Sequence, residues 1–141
     1  MKTITLRQPW ATLMARGYKK LETRSWATKH RGPLLIHASK QISKADLELC
    51  KIYPFNLFVG DPGKLPLGCI VGAVNVTDVH RTEDVVVSIN GRERAFGDYS
   101  EGRYAWRCIN AQEFADPIYT KGALSLWDYS GQLPDLKGDN S

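Results

Sequence analysis

The sequence predicts a small mixed α+β domain built around a curved sheet or barrel. Three observations carry this expectation. Two stretches with helix start and stop signals fall in the first fifty residues. Several short strand-like runs joined by tight turns follow them. One run, residues 67–79, is long, apolar and rich in β-branched residues, and its glycines suit a central strand that bends or bulges. A chain of 141 residues suffices for one such domain and buries about two-thirds of its unfolded surface without disulfides. The domain is expected over residues 1–130, followed by a polar, disordered tail over 131–141.

The elements follow in order. Residues 3–6 form a first short strand. Gln8-Pro9-Trp10 opens a helix, with Pro9 suited to its first position and Gly17 to its stop. Trp10, Leu13 and Met14 share one face by the 3.6-residue period, so that face is buried. Residues 18–26 are extended, Arg31-Gly32-Pro33 turns the chain, and residues 34–38 read as a buried strand. Ser43 and Asp46 have the spacing of a capping box, so a second helix starts there and stops before Pro54. Residues 53–66, rich in Pro and Gly, read as an irregular surface loop. Residues 85–89 and 92–96 flank Asn90-Gly91, a hairpin signal. Residues 103–109 and 124–129 are further strands, and the chain frays beyond them.

Charge is unevenly distributed. Residues 1–44 hold ten basic side chains and one acid, Glu22, a balance of +9, whereas the remainder carries −5. Such asymmetry fits a face offered to an anionic partner, nucleic acid first among them, or two parts that neutralise each other in the fold. No apolar run approaches the roughly 20 residues of a membrane span, and residues 1–5 do not lead into a signal-peptide core. A cytoplasmic protein without membrane partners is expected. Cys50, Cys69 and Cys108 read as reduced, buried thiols. No metal-ligand spacing occurs, and no cofactor is expected.

The most informative segment is Gly17-Tyr-Lys19-Lys-Leu-Glu22-Thr-Arg24-Ser-Trp26. On a strand Glu22, Arg24 and Trp26 share a face, placing a carboxylate, a guanidinium and an indole side by side. That face can hydrogen-bond and stack a planar ligand such as a base, or it can be one exposed ion pair. Trp106 and Trp127 lie in apolar strands and read as core. His37, after Leu-Leu-Ile, reads as a core histidine satisfied by hydrogen bonds. Arg92 and Arg94 extend a basic track that Glu93 and Asp98 dilute.

Three ordered blocks resemble the ASCH family, the activating-signal cointegrator homology domain. They are Leu6-Arg-Gln8-Pro9-Trp10-Ala11, Gly17-x-Lys19-x-x-Glu22-x-Arg24-Ser-Trp26 and Arg31-Gly32-Pro-Leu-Leu-Ile-His37-Ala38. Gly68-Cys-Ile-Val-Gly72-x-Val-x-Val-x-Asp78, Tyr104-Ala-Trp106 and Lys121-Gly122-x-Leu-x-Leu-Trp127 continue the likeness to about residue 129. The resemblance implies a PUA-like β-barrel with two or more flanking helices, a cleft beside the first helix, and binding of RNA, other nucleic acid or a nucleotide. Lys19, Arg24, Lys29 and Arg31 would meet phosphates, Trp10, Trp26 and Tyr104 would stack, and Lys121 would stand at the cleft rim.

The resemblance also implies two enzymatic alternatives. A ribonuclease would use Glu22 or His37 as base and Lys19 and Arg24 as cations, or a divalent metal. Lys19, Glu22 and Arg24 are then the catalytic candidates. An N4-acylcytidine amidohydrolase needs a Lys, a Thr and a Glu. Lys19 matches the first, but Glu22 stands at the Thr position and Thr23 points away on a regular strand. Asp78, Glu83 and Glu101 are the candidates for the remaining acid.

Overall fold

The structure, a computed structural model, describes residues 1–137. Six strands form one curled sheet, a half-barrel, in the order β2-β5-β4-β3-β1-β6. They are β1 (Lys2–Leu6), β2 (Leu21–Arg24), β3 (Gly32–Ala38), β4 (Cys69–Arg81), β5 (Tyr104–Tyr119) and β6 (Leu126–Asp128). Only β1 and β3 pair in parallel; the other neighbours are antiparallel. Three breaks of register between β4 and β5 let the long strands bend, as the glycines of residues 67–79 predict. At Gly72 a Cβ would collide with the Gln112 carbonyl oxygen and come within 2.8 Å of the Ala15 Cβ, so only glycine fits.

Helix α1 (Trp10–Ala15) lies across the sheet and is buried all round from Ala11 to Ala15 rather than on one face. Met14 joins the main core with Ile4, Leu34, Ile36, Val76 and Trp106. Leu13 points the other way, into a second cluster with Cys50, Phe55, Val59, Leu65 and Phe96, against which Trp10 packs. A single apolar stripe was the wrong expectation because this short helix separates two cores. Helix α2 (Lys44–Leu49) starts as its spacing predicts, with the Ser43 side chain accepting from the Asp46 N–H.

Two of the stretches between strands also differ from the sequence reading. Residues 53–66 are not an irregular surface loop. They hold helix α3 (Phe55–Phe58) and a 3₁₀ turn (Pro62–Lys64), and they bury Phe55, Val59 and Leu65. Phe55 and Val59 are four apart and meet the second core together, an apolar spacing that outweighs the surrounding prolines and glycines. Residues 85–96 form no hairpin. Helices α4 (Thr82–Val85) and α5 (Gly91–Phe96) stand there, and Asn90 caps α5 by accepting from the Glu93 N–H. Asn-Gly can open a hairpin turn or cap a helix, and the helix-favouring Arg-Glu-Arg-Ala after it decides for the cap.

On the opposite face of the sheet Leu133 and Leu136 pack against Leu35, Ile70, Ala73 and Phe114. Gln112 donates to the Asp135 carbonyl and accepts from the Lys137 N–H. Within the stretch read as a disordered tail, residues 131–137 are thus held against the sheet, while 138–141 lie outside the described residues. No helix among the described residues is long and apolar enough to cross a membrane.

Candidate functional site

Strand β2 is an edge of the sheet, and its free edge is the starting point of the site. Gly17 adopts a left-handed φ of +77° just past α1, and the Tyr18 and Lys19 N–H groups both donate to the Leu13 carbonyl. This turn sends Lys19 back beneath β2. The Lys19 ammonium donates to the Leu21 carbonyl and, at 3.1 Å, to Glu22 Oε1. Arg24 Nη1 donates to Glu22 Oε2 at 3.3 Å. Side-chain exposure is 1% for Lys19, 9% for Glu22 and 28% for Arg24. The three form a chain of charges that begins in the interior and ends at solvent.

Helix α5 and the loop after it cover the edge of β2. Glu93 accepts from the Lys20 and Leu21 N–H groups at 2.9 and 3.3 Å. Thr23 Oγ1 accepts from the Asp98 N–H, and Arg103 donates to the Thr23 carbonyl. These side chains occupy backbone groups that would otherwise invite another strand. Asp98 and Arg103, with Ala95 and Gly97, make the far wall of a cleft of about 540 Å3. Its near wall comes from β1 and the start of α1, with Thr5, Leu6, Arg7 and Trp10, and its apolar side from Leu49, Phe55 and Phe96. Lys19, Glu22 and Arg24 all line it, as do Thr23, Asp98 and Arg103. Four cations against two carboxylates leave the lining with a net positive charge.

The sequence-predicted residues therefore divide. Trp10, Lys19, Glu22 and Arg24 meet in the cleft. Trp26 instead lies on Trp106, edge to face at 4.8 Å, and its carbonyl accepts from the Trp106 indole. Tyr104 pairs with Arg24 in register but packs on the main core beneath the Arg81 guanidinium. Lys29 is exposed in the loop after β2, and Arg31 bends back to donate to the Thr28 and His30 carbonyls. Lys121 is exposed ahead of β6. None of these five lines the cleft. Arg92 covers Phe58 at 4.9 Å rather than extending a basic track.

Thr23 does reach the cleft, contrary to the expectation from strand alternation, because the cleft wraps around the edge strand and takes lining residues from both faces of β2. The acids considered from sequence do not line it. Asp78 and Glu101 are exposed, and Glu83 accepts from the Gly102 N–H. Backbone N–H groups of Glu83 itself and Gly102 hold the Glu83 carboxyl below its usual range. The second acid of the cleft is Asp98, whose carboxyl is held down by the Ser100 hydroxyl and N–H. In the sequence Glu93 and Asp98 stand only as diluting a basic track and Arg103 is passed over, and a hairpin over residues 85–96 does not bring Glu93 to β2; Glu93 three residues after the helix-capping Asn90 is the signal that could have found it. Among the described residues no three His, Cys, Asp or Glu side chains converge on a metal position.

His37 lies outside this site. Its Nε2 donates to the Thr120 carbonyl at 2.7 Å, which leaves Nδ1 to accept from the Thr5 hydroxyl at 3.2 Å. Thr5 Oγ1 in turn accepts from the Trp127 indole at 3.1 Å. The carbonyl can only accept, so it fixes the neutral tautomer. Burial lowers the His37 pKa from its ordinary value, against the opposing pull of the Thr120 bond. Gly122 presses on this network, since a Cβ there would stand 2.6 Å from Thr5 Oγ1 and 2.8 Å from His37 Nδ1. Trp127 is half-buried and serves as a hydrogen-bond donor rather than as core alone.

A half-barrel closed on one side by short helices, with an electropositive cleft between its edge strand and first helix, defines the class of this protein. The chain belongs to the ASCH domain family, whose model matches residues 4–118. Activating signal cointegrator 1 of Mus musculus and of Homo sapiens are each 31% identical to it over 137 residues, covering 92% of this chain and 22% of theirs. The chain thus spans about a fifth of the length of these relatives. Among solved structures, ASCH from Zymomonas mobilis superposes with a TM-score of 0.54 at 15% identity, over 84% of this chain and 72% of that one. A tyrosine-to-phenylalanine mutant of the same protein gives 0.53 at 13% identity, over 84% and 74%. At these identities the solved structures speak for the α+β, PUA-like fold.

Proposed function

We propose that the cleft binds RNA or a nucleotide, with the Lys19–Glu22–Arg24 chain as its polar floor. One observation carries this reading: the floor has more donors than acceptors. Both Glu22 oxygens already accept from a cation, whereas Lys19 keeps one N–H and Arg24 several without partners among the described residues. A donor surplus in a positive cleft suits a ligand rich in acceptors, namely phosphate and the carbonyl edge of a base. Trp10 and Phe55 supply aromatic surface beside it. The membership of the ASCH family supports the same direction.

Titration of a labelled single-stranded RNA at increasing salt tests this. Affinity is expected to fall along a log–log slope of about −0.7 for each phosphate engaged. Arg24→Ala should weaken binding and flatten that slope. Binding that ignores salt, or none at all, removes the reading.

A hydrolase acting on RNA is the second reading, favoured by the 3.1 Å contact of Lys19 with Glu22 inside a cleft. Glu22 would take the proton of a 2′-hydroxyl as its oxygen attacks phosphorus, and Lys19 would protonate the departing 5′-oxygen. Binding ranks first because both Glu22 oxygens are already engaged. The acylcytidine amidohydrolase ranks last: Glu22 holds the Thr position, and the Thr23 oxygen already accepts from Asp98. Incubation with labelled RNA, with and without a chelator, and separately with acylated cytidines separates these. Any turnover has to vanish in Lys19→Ala.

A further inference from the structure

Arg7 is not among the residues that the sequence motifs single out for the site, yet three features converge on it. It ends the turn from β1 into α1, where Gln8 is turned inward and fully engaged. Gln8 Nε2 donates to Thr12 Oγ1 and the Pro66 carbonyl, and its Oε1 accepts from the Thr12 N–H. With Gln8 held inside, the neighbouring Arg7 projects outward along the cleft, its side chain 69% exposed. Its guanidinium lies 5.0 Å from the centre of the Trp10 ring, and Trp10 is itself braced edge to face on Phe55 at 6.1 Å. An arginine laid on an indole loses rotational freedom while its N–H edge stays open to a ligand.

The third feature is Asp46. Its N–H completes one half of a capping box by donating to Ser43 Oγ. In a full box its carboxylate would return to the Ser43 N–H. Here it does not: Asp46 Oδ2 is buried, has no hydrogen-bond partner among the described residues, and stands 3.7 Å from Arg7 Nη1. An acid in the first turn of α2 suits the helix dipole, and here its Oδ2 also turns from the cap toward a solvent-exposed arginine, which it orients.

We propose that Arg7 is a phosphate-binding residue at the mouth of the cleft, positioned by the Trp10 ring beneath it and the Asp46 carboxylate beside it. This rests on the nucleotide-binding reading and sharpens it: the cleft takes the sugar–phosphate of its ligand as well as the base. Lys19 and Arg24 lie at the buried floor, and Arg7 adds a forked contact where the strand of RNA emerges.

The test uses the whole chain and a fluorescein-labelled single-stranded RNA of twelve nucleotides, followed by anisotropy at several salt concentrations. Arg7→Ala is expected to weaken binding about tenfold and to make the salt slope shallower by about 0.7, one phosphate on a single strand. Arg7→Lys keeps the charge but loses the fork and the flat stacking, so it should fall between the two. Asp46→Asn gives the sharpest sign. If Asp46 merely contributes negative charge near the cleft, removing it tightens RNA binding. If it positions Arg7, removing it weakens binding several-fold while leaving the salt slope in place. A tighter Asp46→Asn complex overturns the positioning role. Unchanged affinity and slope in Arg7→Ala, with Arg24→Ala still impaired, overturns the Arg7 assignment and leaves the nucleotide reading standing. Wild-type protein that fails to bind in a salt-dependent way overturns both. The Arg7 variants alter an exposed side chain and decide the matter even if Asp46→Asn fails to fold.

Discussion

At His37 every hydrogen-bonding group has a partner inside the protein, whereas at Lys19 the partners run out. Both clusters are buried, both hold titratable side chains, and both are built on strands of the same sheet. The indole of Trp127, the hydroxyl of Thr5, the imidazole of His37 and the carbonyl of Thr120 form a directional chain with no spare group. The Lys19–Glu22–Arg24 chain is charged, carries one more cation than anion, and opens on a cleft. A closed polar network adds stability and fixes geometry. An open one sets stability against readiness for a ligand, because its desolvated charges are only partly compensated before the ligand arrives.

The largest expected effect breaks the open cluster. Glu22→Ala leaves the Lys19 ammonium buried without its carboxylate and should cost about 3–5 kcal/mol in urea unfolding. The double variant Lys19→Met/Glu22→Leu should recover most of that loss and still fail to bind RNA. Recovery of stability together with retained binding would show that the cluster serves folding rather than a ligand. Next comes Gly122→Ala, which drives a methyl group into Thr5 and His37. A loss of about 1–3 kcal/mol is expected from this overpacking of the closed network.

Smaller still, Trp127→Phe deletes the one N–H that Thr5 accepts from this indole. Thermal and urea unfolding should register about 1 kcal/mol, with RNA affinity unaltered, since Trp127 lies outside the cleft. A drop in affinity equal to that of Arg24→Ala would join the two networks and erase the contrast. The last effect is set by pH. The folded state keeps His37 neutral below its ordinary pKa of 6.5, while the unfolded chain takes up the proton there. Stability should therefore be level above pH 6.5 and fall as the pH drops through it, by at most about 1.4 kcal/mol per pH unit. The fall ends once the folded histidine also protonates. Glu83 and Asp98, whose carboxyls are held low, lose their contribution only at more acidic pH, so urea unfolding between pH 7.5 and 5, compared with a His37→Gln variant, reads His37 apart from them.

The charge imbalance noted in the sequence resolves both ways at once. Lys2 pairs with Asp128 and Arg16 with Glu113, which is neutralisation between the basic first third and the acidic remainder. Arg7, Lys19 and Arg24 instead gather in the cleft. Nothing in a count of charges distinguishes the two groups, because the distinction lies in which strand neighbours they face.

The elements of the first forty residues were legible where their structure is local. The strand over β1, the helix from Gln8-Pro9 to Gly17 and the Lys19–Glu22–Arg24 chain all depend on residues two to four positions apart, within reach of strand and turn geometry alone. These follow from the order of residues alone, together with the family and the curved sheet that the glycines of β4 permit. Tertiary structure alone decided the cleft. Glu93 reaches the backbone of Lys20 across 73 positions, Arg103 reaches Thr23 across 80, and Asp46 faces Arg7 across three intervening elements. It also decided that Trp26 covers a core tryptophan while Trp10 faces the cleft. A hydrogen bond between distant residues leaves no periodicity in the chain, so the walls of the site become visible only when the sheet curls and brings β1, β2 and α5 together.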